Sequence, residues 1–90
     1  MPVKVNLSPW LSQAVGGREA IHVMGRTIGE CLDKIDTDHP GVKELILNKE
    51  GNVKSYVLLL LNGENTYPEE LSKPVKDGDE VSMVFLADGG

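Results

Sequence analysis

The chain is short of thiols, of positive charge and of long apolar runs, and each shortage closes off a class of function. A single cysteine, Cys31, has no partner for an intramolecular disulfide, and two histidines beside that one thiol do not make a zinc framework. A reducing, cytoplasmic setting is the expectation. Nine Lys plus Arg stand against fourteen Asp plus Glu, a formal charge of −5, so nothing draws the chain to phosphate backbones or anionic lipid. Nucleic-acid and membrane partners are disfavoured. The longest apolar run, Val57 to Leu61, is five residues, where a bilayer-spanning helix needs about 20. The start, Met1-Pro2-Val3-Lys4-Val5, does not read as a secretory signal. No repeat, low-complexity tract, charge block or linker divides the 90 residues, which points to one small domain. Neither a phosphate-binding glycine loop ahead of a helix nor a nucleophile–base pattern is found. No autonomous enzyme is expected, and no cofactor or metal bound by the chain itself.

What is present is ordinary globular material, 40% hydrophobic and 26% charged. Val3-Lys4-Val5-Asn6-Leu7 alternates with period two and reads as a strand with one buried face. Ser8-Pro9 stops it. Gly16-Gly17 turns the chain into a second alternating segment, Glu19 to Val23, giving a hairpin with a long loop. In that loop Trp10, Leu11 and Val15 are expected to form a small hydrophobic plug, with a contact surface as the alternative. Thr27-Ile28-Gly29-Glu30 matches a capping box, in which the threonine hydroxyl accepts from one free amide and the glutamate reaches back to another. Ile28, Cys31, Leu32 and Ile35 follow at i, i+3, i+4 and i+7, one apolar stripe on a helix. Cys31 in that row is expected to be a small buried side chain, not a nucleophile.

The stripe ends at Asp36 to Asp38, and Pro40 restricts His39 to extended conformations. Val42, Leu45 and Ile46 suggest a further short turn of helix. Val57 to Leu61 is apolar on both faces and closed by Asn62-Gly63, so it reads as a central strand with both faces covered. Glu64 to Lys76 is expected to be mostly loop, anchored by Leu71 and Val75. Asp77-Gly78-Asp79 turns into the last strand, Glu80 to Leu86, with Val81, Met83 and Phe85 pointing inward and Val84 and Leu86 outward. His22 and His39 lack ligand partners at metal spacing, and Asp33, Asp36, Asp38 and Asp77 to Glu80 read as solvated faces and turns. The order strand, strand, helix, strand, strand describes an α+β roll. Only Ala87-Asp88-Gly89-Gly90 follow the last strand.

A diglycine directly after the terminal strand of such a domain resembles the ubiquitin-like sulfur-carrier family, MoaD/ThiS, which includes the small subunit of molybdopterin synthase and the thiamine-pathway carrier. The residues that carry the resemblance are Leu61-Asn62-Gly63 after an apolar strand, Val75-Lys76-Asp77-Gly78-Asp79-Glu80-Val81 leading into the last one, and Gly89-Gly90. Gly16-Gly17 and Thr27-Ile28-Gly29 add similarity to longer members that supply sulfur for cysteine or methionine synthesis. The resemblance implies a β-grasp roll over 1–86, a mixed sheet of four to five strands on one main helix, and a flexible diglycine tail over 87–90.

It also implies that a ubiquitin-activating-like adenylyltransferase uses ATP to adenylate the Gly90 carboxylate, and that a sulfur donor converts the acyl-adenylate to a thiocarboxylate. That sulfur would pass to an acceptor synthase or enzyme in molybdopterin, thiamine, cysteine or methionine synthesis. Gly90 is then the reacting residue and Gly89 its access, since a side chain at either would crowd the partner's pocket. A terminal carboxylate, pKa about 3.3–3.7, is ionised at neutral pH and cannot be displaced by sulfur directly, so activation must come first. Asp88 adds repulsion of only about 0.6 kcal/mol at about 7 Å in water, which a basic side chain of the partner would turn into specificity. With Asp88, an outer-face patch of Leu58, Leu60, Val84 and Leu86 is expected to dock partners, Leu58 and Leu60 being placed there by the resemblance. A homodimer contact or a covering loop is the alternative for the patch. Conjugation of Gly90 to lysines of other proteins, or a plain interaction domain, are the alternatives for the whole.

Overall fold

The computed structural model describes residues 2–86; Met1 and the expected tail, 87–90, lie outside the described residues. Strand β1 (Val3–Leu7) pairs antiparallel with β2 (Ala20–Val23), Val5 opposite Ile21. The last strand, β5 (Glu80–Phe85), lies parallel to β1, with Val5 opposite Val81. On its other side β5 runs antiparallel to β3 (Val57–Leu61), Leu59 opposite Met83. A two-residue strand, β4 (Glu64–Asn65), closes the far edge against Leu60 and Leu61. The order β2-β1-β5-β3-β4 makes a mixed five-stranded sheet. The helices are α1 (Pro9–Ser12), α2 (Ile28–Asp38) and α3 (Val42–Ile46).

The core forms where the alternating strands meet the stripe of α2. Val3, Val5, Leu7, Ile21, Val23, Val57, Leu59, Val81 and Met83 are buried from the sheet, and Ile28, Cys31, Leu32 and Ile35 from the helix. Each such aliphatic side chain contributes about 1.5–3 kcal/mol. The N-terminus of α2 follows the capping box closely. Glu30 N–H donates to the Thr27 hydroxyl at 3.1 Å, and Glu30 Oε1 accepts from the backbone N–H of Arg26 at 2.9 Å, one residue ahead of the cap. At its other end His39, with φ −135° and ψ 78°, leaves the helical region before Pro40, and Asp36 Oδ1 accepts from Gly41 N–H and Lys43 N–H, joining α2 to α3. Leu71 and Val75 anchor the 64–76 segment, which also holds β4 and a 3-10 turn at Glu70–Ser72. Gly29 permits that anchorage: a Cβ there would stand 2.9 Å from the Leu71 carbonyl oxygen.

Three expectations change. The central strand is β5, not β3, and only Val57 and Leu59 of β3 are buried. Leu58 and Leu60 are half-buried, because they alternate with Val57 and Leu59 and so stand on the sheet face away from the core. The loop after β1 does supply a plug, since Leu11 and Val15 are fully buried. Trp10, however, is 51% exposed. Phe85 shares the face of Val81 and Met83 but is only partly buried, because it lies at the strand's end, where Trp10 covers it.

Candidate functional site

Strand pairing fixes what the open face of the sheet displays. Val57 to Leu61 has no polar residue to set its phase, but the register places Leu58 opposite Val84 and Leu60 opposite Ser82. Partners in an antiparallel pair share a face. Leu58, Leu60 and Val84 therefore stand together on the face away from the core, all three half-buried. The same face turns polar towards β1. Asn6 Nδ2 donates to Glu80 Oε2 at 2.7 Å and to Ser82 Oγ at 3.3 Å, and Lys4 Nζ stands 3.9 Å from Glu80 Oε2. An aliphatic patch on β3 and β5 thus borders a hydrogen-bonded polar field on β1.

The patch leads to the point where the chain leaves the sheet. Leu86 N–H donates to the Tyr56 carbonyl oxygen at 2.8 Å, so pairing with the segment ahead of β3 runs one residue past β5. Leu86 itself is 56% exposed. Beside it lies a cluster with no local sequence signal: the Trp10 and Phe85 ring centroids are 4.2 Å apart, and Tyr56, 44% exposed, stands 5.9 Å from Phe85. Lys54 Nζ approaches the Tyr56 ring at 5.9 Å. The structure brings Leu58, Leu60 and Val84 together and sets Leu86 at the strand's exit; Asp88, Gly89 and Gly90 lie outside the described residues.

The start of β5 is built differently. Asn62 and Gly63 turn the chain after β3 with φ of 51° and 88°, the left-handed region that these two residue types tolerate. Asn62 N–H donates to the Glu80 carbonyl at 2.7 Å, while Asn62 Oδ1 accepts from Glu80 N–H at 2.9 Å and Nδ2 donates to Asp79 Oδ1 at 3.2 Å. Asp79 Oδ2 accepts from Lys76 N–H at 2.9 Å. The Lys76 amide first, then the Asn62 amide, hold the Asp79 carboxyl below the usual carboxylate range. The family-like motifs Leu61-Asn62-Gly63 and Lys76 to Glu80 are thus two halves of one clasp. Cys31 is buried in the core, where burial and, secondarily, Glu30 push its thiol up against the weaker opposing effect of Lys34. That environment suits packing rather than nucleophilic attack.

Comparison with known proteins adds three likenesses and a family match. The profile of the ThiS family matches residues 5–90. The sulfur carrier protein CysO of Mycobacterium tuberculosis is 24% identical over 93 aligned positions, covering all of both chains. A chain in the crystal structure of the Amycolatopsis orientalis BexX/CysO complex superposes with a TM-score of 0.90 at 26% identity, over 98% of this chain and 99% of that one. The small archaeal modifier protein 1 of Methanosarcina acetivorans superposes with a TM-score of 0.82 at 26% identity, over 98% and 95%.

Proposed function

This chain belongs to the ThiS family of ubiquitin-like sulfur carriers, and we propose that Gly90 is the residue that carries the sulfur. One observation supports this above the others. The family match runs through Gly89 and Gly90, and β5 stops at Phe85, so the diglycine lies within the segment 86–90 that follows the last strand in sequence. In the proposed reaction a Gly90 carboxylate oxygen attacks the α-phosphorus of ATP on a ubiquitin-activating-like adenylyltransferase, and pyrophosphate leaves. Hydrosulfide-level sulfur from a donor protein then attacks the acyl carbon; the bond to AMP breaks and a thiocarboxylate remains. The carrier binds no ATP of its own in this scheme. It serves as a co-substrate, and the thiocarboxylate passes its sulfur to an acceptor in molybdopterin, thiamine, cysteine or methionine synthesis.

Leu58, Leu60, Val84 and Leu86 would meet the partner at the base of this segment, and Asp88 would meet a basic side chain at its pocket. Among the described residues no helix is long and apolar enough to cross a membrane. A reducing cytoplasm suits both the lone Cys31 thiol and a thiocarboxylate.

Intact-mass measurement after incubation with a cognate adenylyltransferase, ATP and a sulfur source tests the proposal. The expected result is replacement of one oxygen by sulfur, localised to Gly90 by fragmentation. An unmodified terminus with an enzyme proven active on its own carrier would refute it. The likeness to an archaeal modifier protein supports a second reading, conjugation through Gly90. Isopeptide-linked products recovered from cells, with no thiocarboxylate form, would favour that one.

A further inference from the structure

The aromatic cluster at the end of β5 is not used by anything described so far. Three of the chain's four aromatic residues, Trp10, Tyr56 and Phe85, gather there. None of the largest fully buried side chains of the core is aromatic. Trp10 and Tyr56 instead remain about half exposed. By strand alternation Phe85 belongs to the face of Val81 and Met83, opposite Leu58, Leu60 and Val84. At the exit point an aliphatic face thus adjoins an aromatic cluster. Lys54, against the Tyr56 ring, gives the aromatic side a positive rim in a chain of net charge −5.

Chain length ties this cluster to a partner. Gly90 lies four residues past Leu86, a reach of at most about 13–14 Å when fully extended. An active site that encloses both Gly90 and a nucleotide uses much of that reach in its own depth, so the surface around its mouth must descend onto the exit point of β5. Resting on the reading of Gly90 given above, we propose that Trp10, Tyr56 and Phe85 form a docking platform for the adenylating protein that receives Gly90. That protein would set an apolar side chain on the rings and a carboxylate opposite Lys54, so that the last strand is gripped from both faces. Half-exposed tryptophan and tyrosine around a partly buried ring have the composition of an interface anchor.

Pyrophosphate exchange by the source organism's purified ubiquitin-activating-like adenylyltransferase, with ATP and labelled pyrophosphate, separates the possibilities. Trp10→Ala and Tyr56→Ala should each raise the half-saturating carrier concentration about tenfold while leaving the saturated rate within about twofold of wild type. Their melting profiles establish that they fold; if Trp10→Ala does not, Tyr56→Ala and Trp10→Phe decide, the latter expected to keep near-normal saturation. Folded variants with wild-type saturation overturn the platform. Deletion of Gly90 should abolish exchange. If it does so while the aromatic variants behave normally, the reading of Gly90 stands and the platform falls; if exchange survives the deletion, the reading of Gly90 itself fails, and the platform with it.

Discussion

The two ends of β5 are made of different chemistry. At its start, Asn62, Lys76, Asp79 and Glu80 exchange hydrogen bonds in which Asn62 and Asp79 each take part through the backbone and both polar atoms of the side chain. At its finish, Phe85 and Leu86 are flanked by Trp10, Tyr56, Leu58 and Val84, with large apolar surfaces left in solvent. Directional bonds fix a strand's position, whereas exposed apolar groups gain free energy only when something else covers them. One end is therefore built to stay put and the other to be met. A carrier loaded at Gly90, as proposed above, would need both, because a terminus could be aimed into a foreign pocket only from a strand that does not slide.

Substitutions along β5 should separate these roles. In the fully buried middle, Met83→Ala should lower unfolding free energy by about 2–5 kcal/mol in urea titration, the largest stability effect of the series. At the clasp, Asn62→Ala should lower it by about 2 kcal/mol, through lost hydrogen bonds and a side chain forced into left-handed backbone, and Asn62→Gly should recover the backbone part only.

The Asp79 carboxyl supplies a pH signature. Its folded pKa is depressed, so its stabilisation is complete above the unfolded carboxylate value, about 3.9, and is lost as pH falls through the lower folded value. Asp79→Asn should flatten the acid limb of a stability–pH curve below about pH 4, and an unchanged limb would remove the carboxylate from the clasp. At the exposed end Val84→Ser should change stability by less than about 1 kcal/mol while weakening adenylation by raising the half-saturating carrier concentration. A reversed pattern, stability lost at Val84 and partner affinity lost at Asn62, would break the division between the two ends.

Local patterns were legible where the physics is local. The period-two runs Val3–Leu7 and Glu80–Phe85, the Thr27–Glu30 cap and the Ile28-Cys31-Leu32-Ile35 stripe each declare an element within a few residues, and each is present. The contacts that build the exit of β5 join residues 10, 56 and 85, and no short window contains two of them. For the same reason the burial of Leu58 could not be read from an unbroken apolar run. It depends on which face of the strand meets the core, and a run without a polar residue carries no phase signal. The middle of the sheet falls on β5 instead of β3 because the apolar run Val57 to Leu61 marks an interior strand, whereas the strand order is set by pairing between distant segments.

The parallel pairing of β1 with β5 has a consequence for biosynthesis. Without residues 80–85 the remaining strands fall into two unconnected pairs, β2 with β1 and β3 with β4. During translation the sheet cannot close until that stretch has cleared the ribosome. A product truncated before Glu80 lacks the one strand that joins these two pairs into a sheet.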